Sequence, residues 1–300
     1  MPSDYIKLHF VVILWGFTAI LGRLIDLESA VIVTYRVASA GLMLAVLVIA
    51  LKIPHNITIK ARIKLTANGL LLGLHWTLFF FAVEIANVSV CMIGMATSTL
   101  WTAFLEPMLI RERRFHAYNV AIGIVMVGAI AIIAGGNFMY MQGLLVAVTS
   151  AGVATTFSIF NSRFSRNHHH YVIAMHQMAG ATLFCTVTIA INTLQRGSPP
   201  DLLPSPADAG WLLLLASFCT VYAYAQYIEL LKRLTVFTIH LAYNLEPVYG
   251  IILAALFFNE HHQLGPMFYL GSVIILLAVI AHPFIARSRQ RIASGLEQES

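Results

Sequence analysis

Charge is what this sequence has least of. Only 10% of its 300 residues are Asp, Glu, Lys or Arg, where an ordinary soluble domain carries about 25%. So little charge cannot solvate a globule of this size. That excludes a soluble enzyme, a disordered chain and a nucleic-acid binder with a wide basic face. Cysteine is scarce as well. Cys91, Cys185 and Cys219 all fall in apolar runs, and their spacing fits neither a metal site nor a disulfide framework. They read as packing residues. A Gly-rich phosphate loop, an H-E-x-x-H pair and a nucleophile elbow are all missing, so no cofactor or metal is called for. What is present is apolar surface: 59% of the residues, with a mean hydropathy of +0.81. The chain is therefore expected to cross a membrane several times.

A helical span needs about 20 apolar residues. Runs of that kind lie at 8–25, 30–51, 63–82, 88–110, 116–134, 143–164, 172–193, 211–230, 235–257 and 265–286. The first resembles a signal peptide, but it has no clear small-residue cleavage site and reads as a retained helix. The connections are short and carry Pro, Gly, Asn or charge, as in 52–56, Gly135-Gly136-Asn137 and 197–200. Orientation follows from Lys and Arg. With the N-terminus inside, the inner segments collect Lys7, Lys52, Lys60, Arg62, Lys64, Arg111, Arg113, Arg114, Arg163, Arg166, Lys232, Arg233, Arg287, Arg289 and Arg291. Of the 18 basic residues only Arg23, Arg36 and Arg196 remain. Both termini are thus expected in the cytoplasm, with the protein in the cell membrane. The net charge of +5 is a topology signal and needs no nucleic-acid partner.

The halves resemble each other. At an offset of 140, Phe17 meets Phe157 and Arg23 meets Arg163; at 148, Glu112 meets Glu260 and Gly123 meets Gly271. Five spans per copy is an odd number, so the second copy enters from the opposite side. The expected fold is an all-α integral membrane protein with ten transmembrane helices as two inverted five-helix repeats, 1–134 and 143–286, and a disordered or weakly helical tail over 287–300. Two like halves packed antiparallel have two near-equivalent packings, each open to one side, with a site near the midplane. In Trp15-Gly16, Arg36, Pro247, the pair Glu112 and Glu260, and the glycines that follow them, the chain resembles the EamA-type families of the drug/metabolite transporter superfamily. It differs in having Glu106-Pro107 in span four, eight residues nearer the cytoplasm than the position that matches Pro247. The resemblance implies a ten-helix basket around a central cavity. It also implies transport of small metabolites or drugs, often outward and often with proton exchange.

Charged groups at bilayer depth cost at least about 2.5–3.5 kcal/mol, so they are expected to face a cavity or a partner. Glu246, in Tyr243-Asn244-Leu245-Glu246-Pro247, is the sharpest candidate for binding a proton, a cation or an amine, because the proline breaks the helix beside it. Tyr243 shares its face. Glu106 and Pro107 offer a second such pair near the inner mouth, as a gate or in an ion pair with Arg111. Arg36 either holds a substrate carboxylate, snorkels outward or pairs with Asp26 or Glu28. His75 and Trp76 in span three, and the cluster Tyr222, Tyr224, Gln226 and Tyr227 in span eight, are candidates for a cavity wall. Asn161 and Gln177 could add hydrogen bonds, and Trp15 and Trp101 either line the cavity or pack. Gly69-x-x-x-Gly73 allows close helix approach. Consecutive residues of His168-His169-His170 point apart and argue against a metal.

The expected function is a secondary active transporter of a small organic solute, first of all an exporter of amino acids or related compounds. No nucleotide-binding domain is present, so a proton gradient or exchange would drive it. A same-fold transporter of a sugar or nucleotide derivative is the near alternative. It would want several interior Lys or Arg, and only Arg36 qualifies. An intramembrane enzyme would have to draw on Glu246, His240 and His75. A receptor or assembly factor would need a large loop, which the sequence lacks. Solute, bilayer and protons are the expected partners.

Overall fold

The computed structural model describes residues 2–86, 88–133, 141–246, 248–249 and 266–298. Among them all regular structure is helical: α1 (Pro2–Leu24), α2 (Ser29–Ala50), α3 (Ile59–Ile85), α4 (Val88–Leu109), α5 (Ala117–Ile133), α6 (Met141–Asn167), α7 (His170–Arg196), α8 (Pro206–Ala216), a π-helical segment (Ser217–Tyr222), α9 (Ala223–Leu230), α10 (Val236–Tyr243) and α11 (Pro266–Gln298). The loop at Gly135-Gly136-Asn137, Pro247 and Glu260 lie outside the described residues. The tail, expected to be disordered or weakly helical, continues α11 to Gln298.

Local chemistry sets the helix ends. Ser205 and Asp208 form a reciprocal capping box at the start of α8, with Pro206 behind the cap. Thr58 and Thr235 accept the N–H of Ala61 and Thr238 to open α3 and α10. His169 caps α7 by accepting the Tyr171 N–H, and Gly197, at φ +74°, closes it. The histidine run is thereby used as a helix start.

Five stretches are long and apolar enough to cross a bilayer: Ser29–Ala50, Ile59–Ile85, Met141–Asn167, His170–Arg196 and Pro206–Leu230. Ala117–Ile132 and Tyr269–His282 are shorter apolar helices. Their surfaces are the reverse of a soluble protein's. Leu183, Val187, Ile191 and Leu194 line an exposed apolar stripe on α7, as Leu42, Val46 and Ile49 do on α2. Large exposed apolar faces of this kind mark contact with lipid. The helices satisfy their own backbone, as a membrane interior demands.

The helices pack mainly across the two halves of the chain. α2 lies on α7, α3 on α6 and α7, α4 on α6, α5 on α11, and α1 on α8, the π segment, α9 and α10. The closest crossing is α3 on α7. A side chain at Gly69 would strike the Gln177 backbone, and one at Gly180 would strike the Thr66 carbonyl. The small-residue pattern read from Gly69 and Gly73 is therefore realised. Polar pairs mark the two ends. At one end Arg233 meets Asp4 (3.1 Å), Arg113 meets Glu106 (3.4 Å), and Glu229 meets Lys232 (2.6 Å) and His170 (3.1 Å). At the other, Arg196 meets Glu28 (3.1 Å) and the Asp26 N–H donates to Asp208 (3.0 Å).

Candidate functional site

Polar side chains run through the otherwise apolar interior of the bundle. On α6, Ser150, Ser158 and Asn161 share the buried face with Ala147, Ala151 and Ala154, the spacing of one helical stripe. Asn161 belongs to a closed ring. The Gln177 side-chain N–H donates to the Asn161 oxygen, the Asn161 N–H donates to the Tyr224 hydroxyl, and that hydroxyl donates to the Gln177 oxygen. α6, α7 and α9 are tied by it. Asn68 of α3 joins through longer bonds of 3.4 Å, and its own side-chain oxygen has no hydrogen-bond partner among the described residues.

A second chain of bonds crosses four helices. The Tyr227 hydroxyl donates to Ser158 (2.9 Å), and Ser158 meets His240 Nε2 (2.9 Å). His240 Nδ1 meets Thr102 Oγ1 (2.9 Å), and Thr102 donates to the Ser98 carbonyl (2.6 Å). His75 makes a separate contact with α6: its Nδ1 lies 2.8 Å from Ser150 Oγ, which donates back to the His75 carbonyl.

Arg36 is buried, only 5% exposed. It neither snorkels nor pairs with Asp26 or Glu28; Glu28 is taken by Arg196. Its Nε donates to Thr220 Oγ1 (2.7 Å), and its guanidinium lies over the Trp76 ring at 4.4 Å, a cation–π geometry. The carbonyl of Cys219, in the π segment, receives Trp15 Nε1 (3.1 Å) and the edge of Arg36 (3.4 Å). Such wide turns recur at functional sites. Trp15 then stacks edge-on with Tyr243 (4.8 Å) and Tyr227 (5.8 Å).

α10 ends at Tyr243, and Asn244 and Leu245 turn through i−3 bonds to Leu241 and Ala242. The break expected at Pro247 thus begins just ahead of it. The Tyr243 carbonyl is the one that a proline at 247 deprives of its helical donor. Asn244 secures the turn by donating to Thr99 (2.8 Å). Glu246, half-buried, follows the turn and lies within electrostatic reach of Arg36. The Tyr243 hydroxyl is buried without a hydrogen-bond partner among the described residues.

Arg36 and Trp76 are thus in contact, and Glu246 stands within electrostatic reach of Arg36 and Tyr243; Tyr224, His75 and Asn244 belong to the bonded polar groups described above. Tyr222 does not join. It is 43% exposed and sits edge-on to Phe10, because two residues along a helix point nearly opposite ways and Tyr224 takes the inner face. Gln226, two further on, is half-buried and outside both bonded chains described above. Glu106 stands at the basic end, paired with Arg113 rather than Arg111, and accepts the N–H groups that open α10 at Val236 and Phe237. Pro107 is half-buried in the last turn of α4. Trp101 packs on Gly152 and is 36% exposed as a residue.

The sequence alone did not single out Asn68, Ser98, Thr99, Thr102, Ser150, Ser158 or Thr220 as site residues. A signal for several of them existed. In a membrane helix the small and polar stripe is the buried one, and Ser98-Thr102 on α4 and Ser150-Ser158-Asn161 on α6 follow that spacing.

The chain is similar to known proteins. Residues 141–281 match the EamA-like transporter family. A protein of Rattus norvegicus, solute carrier family 35 member E4, is 26% identical over 199 residues, which cover 65% of this chain and 55% of that protein. The chain thus spans about half the length of this curated relative. One crystal structure superposes with a TM-score of 0.76 over 95% of this chain and 99% of the other at 16% identity, a likeness of fold alone.

Proposed function

The chain belongs to the EamA-type drug/metabolite transporter superfamily, and from that premise we propose that it carries a small organic solute across a membrane by alternating access. The observation that carries the reading is Arg36 buried over Trp76, on two helices long and apolar enough to cross a bilayer, with Glu246 of the other half within its electrostatic reach. Among the described residues Arg36 is the one buried Lys or Arg, and no carboxylate is in contact with it. A cation and an acid so placed are costly in a merely structural role. They are useful where a solute and a proton exchange places. Glu246 is the proton or cation site of this proposal, and the aromatic rings are its walls. A single interior cation disfavours multiply anionic cargo. Export of amino acids or related compounds is the first cargo class to test.

The helix pairings support two like copies. α2 on α7 and α5 on α11 each map onto themselves when the halves are exchanged, and α3 on α6 maps onto α1 on α8 and α9. On this reading ten spans form two inverted repeats, and the solute binds between them. The basic end, with Arg113, Lys232 and Arg233, faces the cytoplasm together with both termini. Uptake into reconstituted vesicles, screened over amino acids, amines, sugars and nucleotides with and without an imposed pH gradient, tests the proposal. Glu246→Gln should abolish pH-driven flux while leaving the helical content intact. Undiminished proton-driven transport by that variant removes Glu246 from the mechanism. Turnover of a solute by detergent-solubilised protein, without a compartment, would overturn the transporter reading itself.

A further inference from the structure

The bonds around His240 have a direction. Thr102 spends its hydroxyl proton on the Ser98 carbonyl (2.6 Å), so its oxygen can only accept from His240 Nδ1 (2.9 Å). The imidazole is then the Nδ1–H tautomer, with a bare lone pair on Nε2. Ser158 donates to that lone pair (2.9 Å) and itself accepts from the Tyr227 hydroxyl (2.9 Å). The result is one unbroken sequence of donors, from Tyr227 through Ser158, His240 and Thr102 to the Ser98 carbonyl. It holds together only with a neutral ring. Its outer end is Tyr227, whose hydroxyl also meets the Asn161 side chain and whose ring touches Trp15, Tyr224 and Tyr243.

We infer that His240 is a proton-binding site, reached from the aromatic cluster through the hydroxyls of Tyr227 and Ser158. A hydrated proton entering the cluster gives its proton to the Tyr227 oxygen. Tyr227 passes its own hydroxyl proton to Ser158, and Ser158 passes its own to His240 Nε2. Each hydroxyl breaks one O–H bond and gains another, so the net change is one proton moved from the cluster to the imidazole. The transfer also reverses the chain: His240 Nε2–H now donates to Ser158, Ser158 to Tyr227, and the Tyr227 O–H points into the cluster. The unpartnered hydroxyl of Tyr243, on a ring 6.1 Å from that of Tyr227, belongs to the same cluster.

The surroundings of His240 leave this route distinct. α4 presents Ser98 and Thr102 and α6 presents Ser158, none of them titratable in this range. From α9 comes Tyr227, and from α3 His75 acts through space only. On α10 itself, Tyr243 stacks on the imidazole at 5.6 Å, while Glu246 lies beyond the Asn244–Leu245 turn. Trp15 of α1 reaches Tyr243, His282 of α11 lies against Phe237, and Tyr118 of α5 lies against His282. His75 has no such route, since its serine donates back to the His75 carbonyl.

The inference stands on these bonds and not on the transport reading, so its test needs no solute. Full-length protein labelled with ¹⁵N-histidine is placed in lipid nanodiscs and titrated by NMR, with the His240 signals assigned by their loss in His240→Gln or His240→Asn. The neutral ring should show a protonated Nδ1 and a bare Nε2, and should convert to imidazolium on acidification. Ser158→Ala and Tyr227→Phe should each slow proton exchange at Nε2 by about 10²-fold, the lower end of what a positioned proton-transfer group contributes. An Nε2–H tautomer, a ring that stays neutral wherever the protein is folded, or unchanged exchange in both variants would each overturn the assignment. If either variant fails to fold, the tautomer and the titration of the wild-type ring still decide.

Discussion

Replacing Tyr224 by Phe removes one oxygen and leaves two buried groups short. The Asn161 side-chain N–H loses its acceptor at 3.3 Å, and the Gln177 oxygen loses its donor. Both residues are 0% exposed, so water cannot stand in. The ring itself keeps its place, because Phe retains the stacking on Phe157 at 6.2 Å. In a soluble protein each orphaned group would cost about 1–3 kcal/mol. Hydrogen bonds between membrane helices are worth less, about 0.6 kcal/mol on average and about 1.7 at most, because the unfolded helices also find partners in the bilayer. With two bonds lost, the smaller scale predicts about 1–3 kcal/mol. Reversible unfolding in mixed micelles by added SDS, wild type against variant, measures this difference. Asn68→Leu provides the contrast. It gives up only two long bonds of 3.4 Å and discards an oxygen that has no partner, so it should cost far less. A loss below about 0.5 kcal/mol for Tyr224→Phe, the level expected of a substitution outside any such feature, would refute the argument that the closed ring locks α6, α7 and α9. So would a larger loss for Asn68→Leu than for Tyr224→Phe.

Gly180→Ala should destabilise by about 1–3 kcal/mol, since the new methyl meets the Thr66 carbonyl and the Gly69 backbone, neither of which can move aside. Gly210→Ala, with nothing within 4 Å, should be neutral or gain up to about 1 kcal/mol from helix propensity; equal thermal shifts for the two would contradict the close crossing. A membrane-impermeant maleimide should leave the buried Cys91, Cys185 and Cys219 unmodified in the folded protein. Cysteines introduced at Arg196 and Arg233 in a chain freed of the native three should then label from opposite sides of a sealed vesicle; labelling from one side would overturn the placement of the two ends.

Part of this architecture is written locally. Scarce charge and long apolar runs specify a membrane protein because the free energy of leaving water depends on composition before it depends on shape. The basic segments alternate along the chain, and Arg113, Lys232 and Arg233 do sit together at one end. Gly69 and Gly73 announce a close crossing. Glu246 and Trp76 could be named because a charge or a large ring in an apolar run is conspicuous. What the chain could not disclose is rotation. Whether Asn161 meets Gln177, whether Arg36 turns to Trp76 or to the surface, and whether Tyr222 or Tyr224 faces inward depend on the angle each helix takes about its axis. That angle is chosen by packing against helices far away in sequence. The π turn at Ser217–Tyr222 alters it again within one span, in a way that no local periodicity reports. Apolar runs alone thus determined that these helices enter the membrane, and only their mutual packing decided which side chains meet inside it.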